Sequence, residues 1–274
     1  DSSYDLLSIR VIWNIGQWTP ERVWLVQQVI QRSNIDWDSV AGIAEKIAET
    51  LPNCAIKVIR AHLDYLRAEA MEATKRPVPE LPANANEAKP LFHAYKCNPF
   101  NSLKDLLESQ SNFYEIEKFA EAYPQSFLES IWSWFIDSIQ TLPHEADPVM
   151  VAYRNDWISD FDFSRSEIIQ ALLKAIIQLA KQDKSAFIRF FEQNVHLDLL
   201  TVQRLLARGL EVISTEEPIR VLNYLLADSR RLSLGGQMGS DRHEETEKLI
   251  AAIVPHLQPE DRERLEQSIQ KLKY

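Results

Sequence analysis

Apolar residues recur along most of this chain at spacings of three and four, the period of an amphipathic α-helix, and alternation of period two is almost absent. The pattern is clearest over 167–182, where seven apolar residues form one stripe: Ile168, Ile169, Leu172, Leu173, Ile176, Ile177 and Ala180. Only 6 glycines occur, and four of them fall within 209–239, so most of the chain lacks the turn residues of β-hairpins. We therefore predict an all-α fold.

Several helix starts are marked by a capping residue followed by proline, as at Thr19-Pro20, Asn98-Pro99 and Gln258-Pro259. With these signals the periodicity predicts helices over 4–15, 20–32, 37–50, 53–74, 99–109, 112–122, 125–140, 164–182, 185–194, 198–213, 217–227, 241–254 and 259–272. Short helices joined by short loops pack as antiparallel neighbours, and a long series of them stacks into a solenoid. No strict repeat motif is found, so we predict an irregular α-solenoid of antiparallel helical hairpins of the HEAT/TPR type.

One segment interrupts the helical pattern. Residues 76–90 contain four prolines, a composition that favours extended backbone over helix. We interpret this segment as a Pro-rich linker between an N-terminal helical unit, 1–75, and a C-terminal helical-repeat unit, 91–274. A long inter-helix loop is predicted near 141–164, where prolines and acidic residues gather.

The charge balance bears on the kind of partner. The formal net charge is -10 and the isoelectric point is near 5.2, which argues against nucleic acid, because phosphate binding depends on clustered Lys and Arg. Cys54 and Cys97 are too few and too far apart for a disulfide framework, so we predict reduced thiols and a cytoplasmic location. No apolar run reaches the roughly 18 residues that span a bilayer. A protein ligand is the predicted partner, with no nucleic acid and no membrane.

Candidate catalytic chemistry is sparse. The glycine-rich stretch 234–240 lacks the Gly-Lys-Ser/Thr of a phosphate loop, and no Gly-x-Ser-x-Gly motif occurs. We therefore predict no enzymatic activity for this segment, with no catalytic residue, no metal and no cofactor. Arg230, Arg231 and Arg242 flank the glycines and could hold an anionic group. They are candidate protein-binding residues, and an enzyme with an anion site near Arg230 and Arg231 remains an alternative.

Aromatic residues provide two further candidates for protein binding. In the helix predicted over 125–140, Trp132 belongs to the apolar stripe and Trp134 lies on its flank. A flanking Trp either packs between repeats or anchors a ligand on a concave face. Solenoid helices bury two faces, which favours packing, but both tryptophans are kept as candidate binding residues.

Three stretches of the C-terminal half resemble a known family. They are AYPQSFLESIWSWF at 122–135, LLADSRRLSLG at 225–235 and EKLIAAIVPHL at 247–257. Together they are similar to the C-terminal helical-repeat region of bacterial antiviral STAND-type NTPases, and the resemblance covers roughly 112–274. In that family an effector and a nucleotide-binding module precede a helical array that senses a phage protein and triggers oligomerisation.

This resemblance implies that the chain is the sensor portion of such an NTPase, with any NTPase activity in a part of the protein outside this chain. We therefore expect a protein-binding helical-repeat module whose ligand would be a phage protein and which could form homo-oligomers in the full-length context. A stand-alone oligomerisation scaffold is the alternative.

Overall fold

The computed structural model describes residues 11–12, 14, 16–73, 75, 99–108, 113, 115–142, 153, 166–235 and 243–272. No β-strand occurs in these ranges, so the predicted all-α class is confirmed. Their α-helices are α1 (Pro20–Ile30), α2 (Trp37–Ala48), α3 (Pro52–Ala73), α4 (Pro99–Leu107), α5 (Ile116–Ala122), α6 (Pro124–Thr141), α7 (Glu167–Gln182), α8 (Lys184–Asn194), α9 (Leu200–Ile213), α10 (Pro218–Ala227), α11 (Glu244–Ile253) and α12 (Pro259–Gln270). Short 3-10 helices follow at Ser229–Ser233 and Val254–His256.

Proline marks the start of many of these helices. The helices α1, α3, α4, α6, α10 and α12 each begin at a proline, whose fixed φ suits the first helical position and whose missing N–H would have no partner there. At α1 the hydroxyl of Thr19 also caps the helix, since it accepts a hydrogen bond from the backbone N–H of Arg22 at 3.4 Å. The helix predicted over 4–15 lies largely outside the described residues, as do Asn98 and the linker 76–90.

The chain divides into two compact units, one comprising 1–143 and 166–168, the other 144–165 and 169–274. In the first unit α3 is the central helix, because α1, α2, α4 and α6 all pack against it. Its buried side chains include Ile56, Ile59 and Leu63, which recur at helical spacing.

This division differs from the one expected from the sequence. The prediction placed a boundary at 76–90, but α4 and α6, which follow that segment, pack against α3, which precedes it. The apolar faces of the helices on both sides of the prolines thus form one core, and residues 1–75 are not a unit by themselves.

In the second unit neighbouring helices pack in overlapping pairs. Contacts join α8 to α9, α9 to α11, α10 to α11 and α10 to α12, and the 3-10 helix Ser229–Ser233 packs against α10 and α11. A close approach occurs at Gly209 of α9. A Cβ atom at this position would lie 2.3 Å from Cε2 of Phe187 and 2.7 Å from Cγ2 of Ile176. Gly209 therefore allows α7, α8 and α9 to meet.

We expect Gly209→Ala to lower the free energy of unfolding by about 1–3 kcal/mol, because the added methyl group must displace a fully buried Phe187 ring. Urea denaturation followed by circular dichroism measures this change. Gly16→Ala is the matched control, since no heavy atom lies within 4 Å of a Cβ built there. Equal effects of the two substitutions would show that the helices do not meet closely at Gly209.

Candidate protein-binding groove

The two candidate tryptophans are core residues. The Trp134 side chain is fully buried, and its indole N–H donates a hydrogen bond of 3.1 Å to the backbone carbonyl of Leu63 on α3. Trp132 is also buried and packs against Phe135, with 5.9 Å between ring centroids. Both side chains thus belong to α6 and pack into the core of the first unit. Because they are buried, neither one is a surface anchor for a ligand, and this corrects the prediction.

Arg230 is engaged by groups of the chain itself. Its guanidinium donates to Asp228 and Asp198, each at 2.7 Å, and lies over the ring of Tyr153 with its carbon atom 3.9 Å from the centroid. The hydrogen bonds to Asp228 raise the pKa of Arg230 above its usual value. Burial raises the pKa of Tyr153 to about 12, so its hydroxyl stays protonated and lies 3.1 Å from Asp228 as a donor.

Arg231 is more deeply enclosed. It is 8% exposed, donates to the carbonyls of Tyr224 and Val195 at 3.1 and 2.8 Å, and stacks on the Tyr224 ring at 4.3 Å. The structure thus gives Arg231 a packing role beside α10, where an incoming anion has no access. Arg242, the third candidate, lies outside the described residues.

A buried ion pair, which the sequence analysis missed, joins α9 to α11. Nε and Nη2 of Arg204 donate to the two carboxylate oxygens of Glu245 at 3.0 and 3.1 Å. The side chains are only 4% and 0% exposed, so this is a desolvated, bidentate pair. Arg208, one turn further along α9, lies 3.9 Å from Glu245 and donates to Glu244 at 3.3 Å.

An open groove of about 390 Å³ lies between α7 and α9 in the second unit. Its apolar part is formed by Leu173, Ile177 and Val212, which are only partly buried. Its polar part is formed by Lys181, Arg208 and Glu211. Leu173 and Ile177 belong to the apolar stripe that the sequence predicts for α7, and their partial exposure could not be predicted because periodicity identifies an apolar face but not how completely a neighbour covers it.

The charged groups around the groove differ in their partners. Arg208 donates to Glu211 at 3.3 Å, so these two side chains neutralise one another in part. Lys181 is exposed and has no ion-pair partner among the residues that the structure describes. An apolar surface with a few polar groups at its rim is the usual composition of a recognition site.

Two titratable groups of the first unit have strongly displaced pKa values. Burial lowers the pKa of His62 to about 4, against the opposing effect of Asp36, and its Nδ1 has no hydrogen-bond partner. The imidazole contacts the rings of Trp37 and Phe113, with centroids 5.9 and 6.5 Å away, and these two rings also contact each other at 5.3 Å. Burial raises the pKa of Glu108 to about 7, although Lys104 lies 3.6 Å from its carboxylate.

Within the described ranges no helix is long and apolar enough to cross a membrane, and no cluster of three or more His, Cys, Asp or Glu side chains could hold a metal ion. No protein-family model matches the chain, and no significant match occurs among curated proteins or among solved structures.

Proposed function

We propose that this chain is a protein-binding helical module whose ligand lies in the groove between α7 and α9. The observation that carries the proposal is the groove itself: three aliphatic side chains left partly exposed between two helices, with charged groups at the rim. A groove between two helices is a common site for the apolar face of a partner segment.

We further propose that the second unit is a short irregular α-solenoid. The overlapping contacts of α8 with α9, α9 with α11 and α10 with α12 support it, because in a stack of helical hairpins each helix packs against the next helix or the next but one. Adjacent helices of such a stack present grooves along one face, which fits a binding role for α7 and α9.

The biological role that we propose is the ligand-sensing part of a cytoplasmic bacterial antiviral STAND NTPase. The resemblance of 122–135, 225–235 and 247–257 to the helical-repeat region of that family supports this role. Under this proposal the ligand is a phage protein, and nucleotide hydrolysis belongs to another part of the protein.

An affinity capture tests the proposal with groove variants. The immobilised chain is exposed to lysates of phage-infected and uninfected bacteria, and retained proteins are identified by mass spectrometry. We expect a phage protein to be retained by the wild type and by Gln178→Lys, and retention to fall about five- to a hundredfold with Ile177→Lys, because a charge in the apolar groove costs about 1–3 kcal/mol of binding free energy.

Gln178 is the matched control because it follows Ile177 on the same helix but does not line the groove. Equal retention by both lysine variants would exclude the groove as the binding site. A stand-alone oligomerisation scaffold is the second candidate function, and it predicts self-association of the chain at micromolar concentration without any foreign ligand. The alternative of an enzyme with an anion site has less support, since Arg230 and Arg231 are both engaged within the chain.

A further inference from the structure

The groove between α7 and α9 has an apolar floor and a rim of charged side chains, not all of which have an ion-pair partner. Lys181, Arg208 and Glu211 give its rim two cations and one anion, in a chain whose formal net charge is -10. Arg208 is paired with Glu211 and Glu244, whereas Lys181 has no partner in the described part of the chain. The carboxylates of Glu211 and Glu244 neutralise the Arg208 guanidinium, so among the described residues the charge left unpaired at the rim is the Lys181 ammonium.

The positions of the lining residues on α7 define a register. Leu173, Ile177 and Lys181 are four residues apart, so they follow one another along one side of the helix over about 12 Å, at 1.5 Å per residue. A second helix lying alongside presents its own residues at the same interval. Two apolar side chains and then a carboxylate on that helix would match the two aliphatic residues and the ammonium group.

We propose that the groove binds an acidic amphipathic helix of a protein partner, with two apolar residues four positions apart on the floor and an Asp or Glu paired with Lys181. The inference rests on the proposed function and adds the chemistry of the partner. Charge complementarity selects this occupant, because the carboxylate of an acidic segment can pair with the exposed Lys181 ammonium, whereas a basic segment would bring a like charge beside it.

A selection from a displayed library of random 16-residue peptides tests the proposal, with the whole chain as bait. We expect enriched peptides to carry two apolar residues at a spacing of four and a carboxylate four residues beyond, in either chain direction. Their dissociation constants are then measured by fluorescence anisotropy against the wild type, Ile177→Lys, Lys181→Glu and Lys57→Glu. Lys57 is an exposed residue of α3 in the first unit and provides the same charge reversal away from the groove.

The supporting result is binding that Ile177→Lys abolishes, that Lys181→Glu weakens about five- to tenfold, that added salt weakens, and that Lys57→Glu leaves unchanged. If the affinity of the enriched peptides depends on Ile177 but the peptides are neutral or basic, or if Lys181→Glu leaves their affinity unchanged, the acidic partner is overturned and the proposed function stays intact. A failure to enrich any peptide that needs Ile177 would overturn both. Self-association of the wild type in analytical ultracentrifugation that Ile177→Lys abolishes would assign the groove to a second copy and overturn the foreign partner.

Discussion

Replacement of Glu245 by Gln is expected to lower the free energy of unfolding by about 3–5 kcal/mol, the largest effect of a single substitution considered for this chain. The reason is that Arg204 is only 4% exposed and both of its described hydrogen bonds to a carboxylate go to Glu245. Gln keeps the shape of the side chain but removes its charge, so the desolvated guanidinium loses its bidentate carboxylate partner. Urea denaturation measures the loss as a lower midpoint.

Glu192→Gln is the matched control, because Glu192 pairs with Arg220 at 2.8 Å in the same unit but its side chain is 57% exposed. Exposed pairs contribute about 0–1 kcal/mol, so this variant should be close to the wild type. The double variant Arg204→Met, Glu245→Leu should recover most of the stability lost in Glu245→Gln, since it removes both charges of the buried pair. A single variant as stable as the control would show that Arg204 reaches water.

The helices could be predicted from the sequence because their signals are local. In the stripe of α7 and at the Thr19-Pro20 start of α1 each residue lies within about one turn of the next, and the structure confirms both elements. The flanking position of Trp134 likewise favoured packing, and its hydrogen bond to Leu63 gives the partner that no local pattern contains.

Features that depend on residues distant in the chain could not be predicted in this way. Arg204 and Glu245 are 41 positions apart, and nothing in either helix alone indicates that their side chains meet. The division into units depends on α3 packing against α4 and α6 across the Pro-rich segment. The groove is a third case, since its apolar residues differ from core residues only in how far a neighbouring helix covers them.

Two buried groups of the first unit should give the chain an unusual dependence of stability on pH. His62 has a pKa of about 4 in the folded chain against 6.5 for the unperturbed group, so the unfolded chain binds more protons between these values. The contribution of His62 to the free energy of unfolding is fully present above pH 6.5 and is lost as the pH falls toward 4. At 1.36 kcal/mol per pKa unit this change amounts to about 3 kcal/mol.

Glu108 acts in the opposite direction. Its pKa is about 7 in the folded chain against 4.5 for the unperturbed group, so here the folded chain binds more protons between these values. Stability from this group is complete below pH 4.5 and is lost as the pH rises toward 7. Between pH 4.5 and 6.5 the two contributions have opposite slopes and cancel in part.

Single substitutions should therefore reveal the two opposite pH dependences of stability that partly cancel in the wild type. Relative to the wild type, His62→Leu should make stability fall more steeply with rising pH between 4.5 and 6.5, because only the Glu108 contribution remains. Glu108→Gln should make stability rise more steeply over the same window, because only the His62 contribution remains. Urea denaturation at half-unit intervals of pH measures the three slopes. Each variant is the control for the other. Divergent profiles of stability against pH would support the burial of both groups in the first unit. Parallel profiles of the two variants would show that neither group is desolvated in the fold.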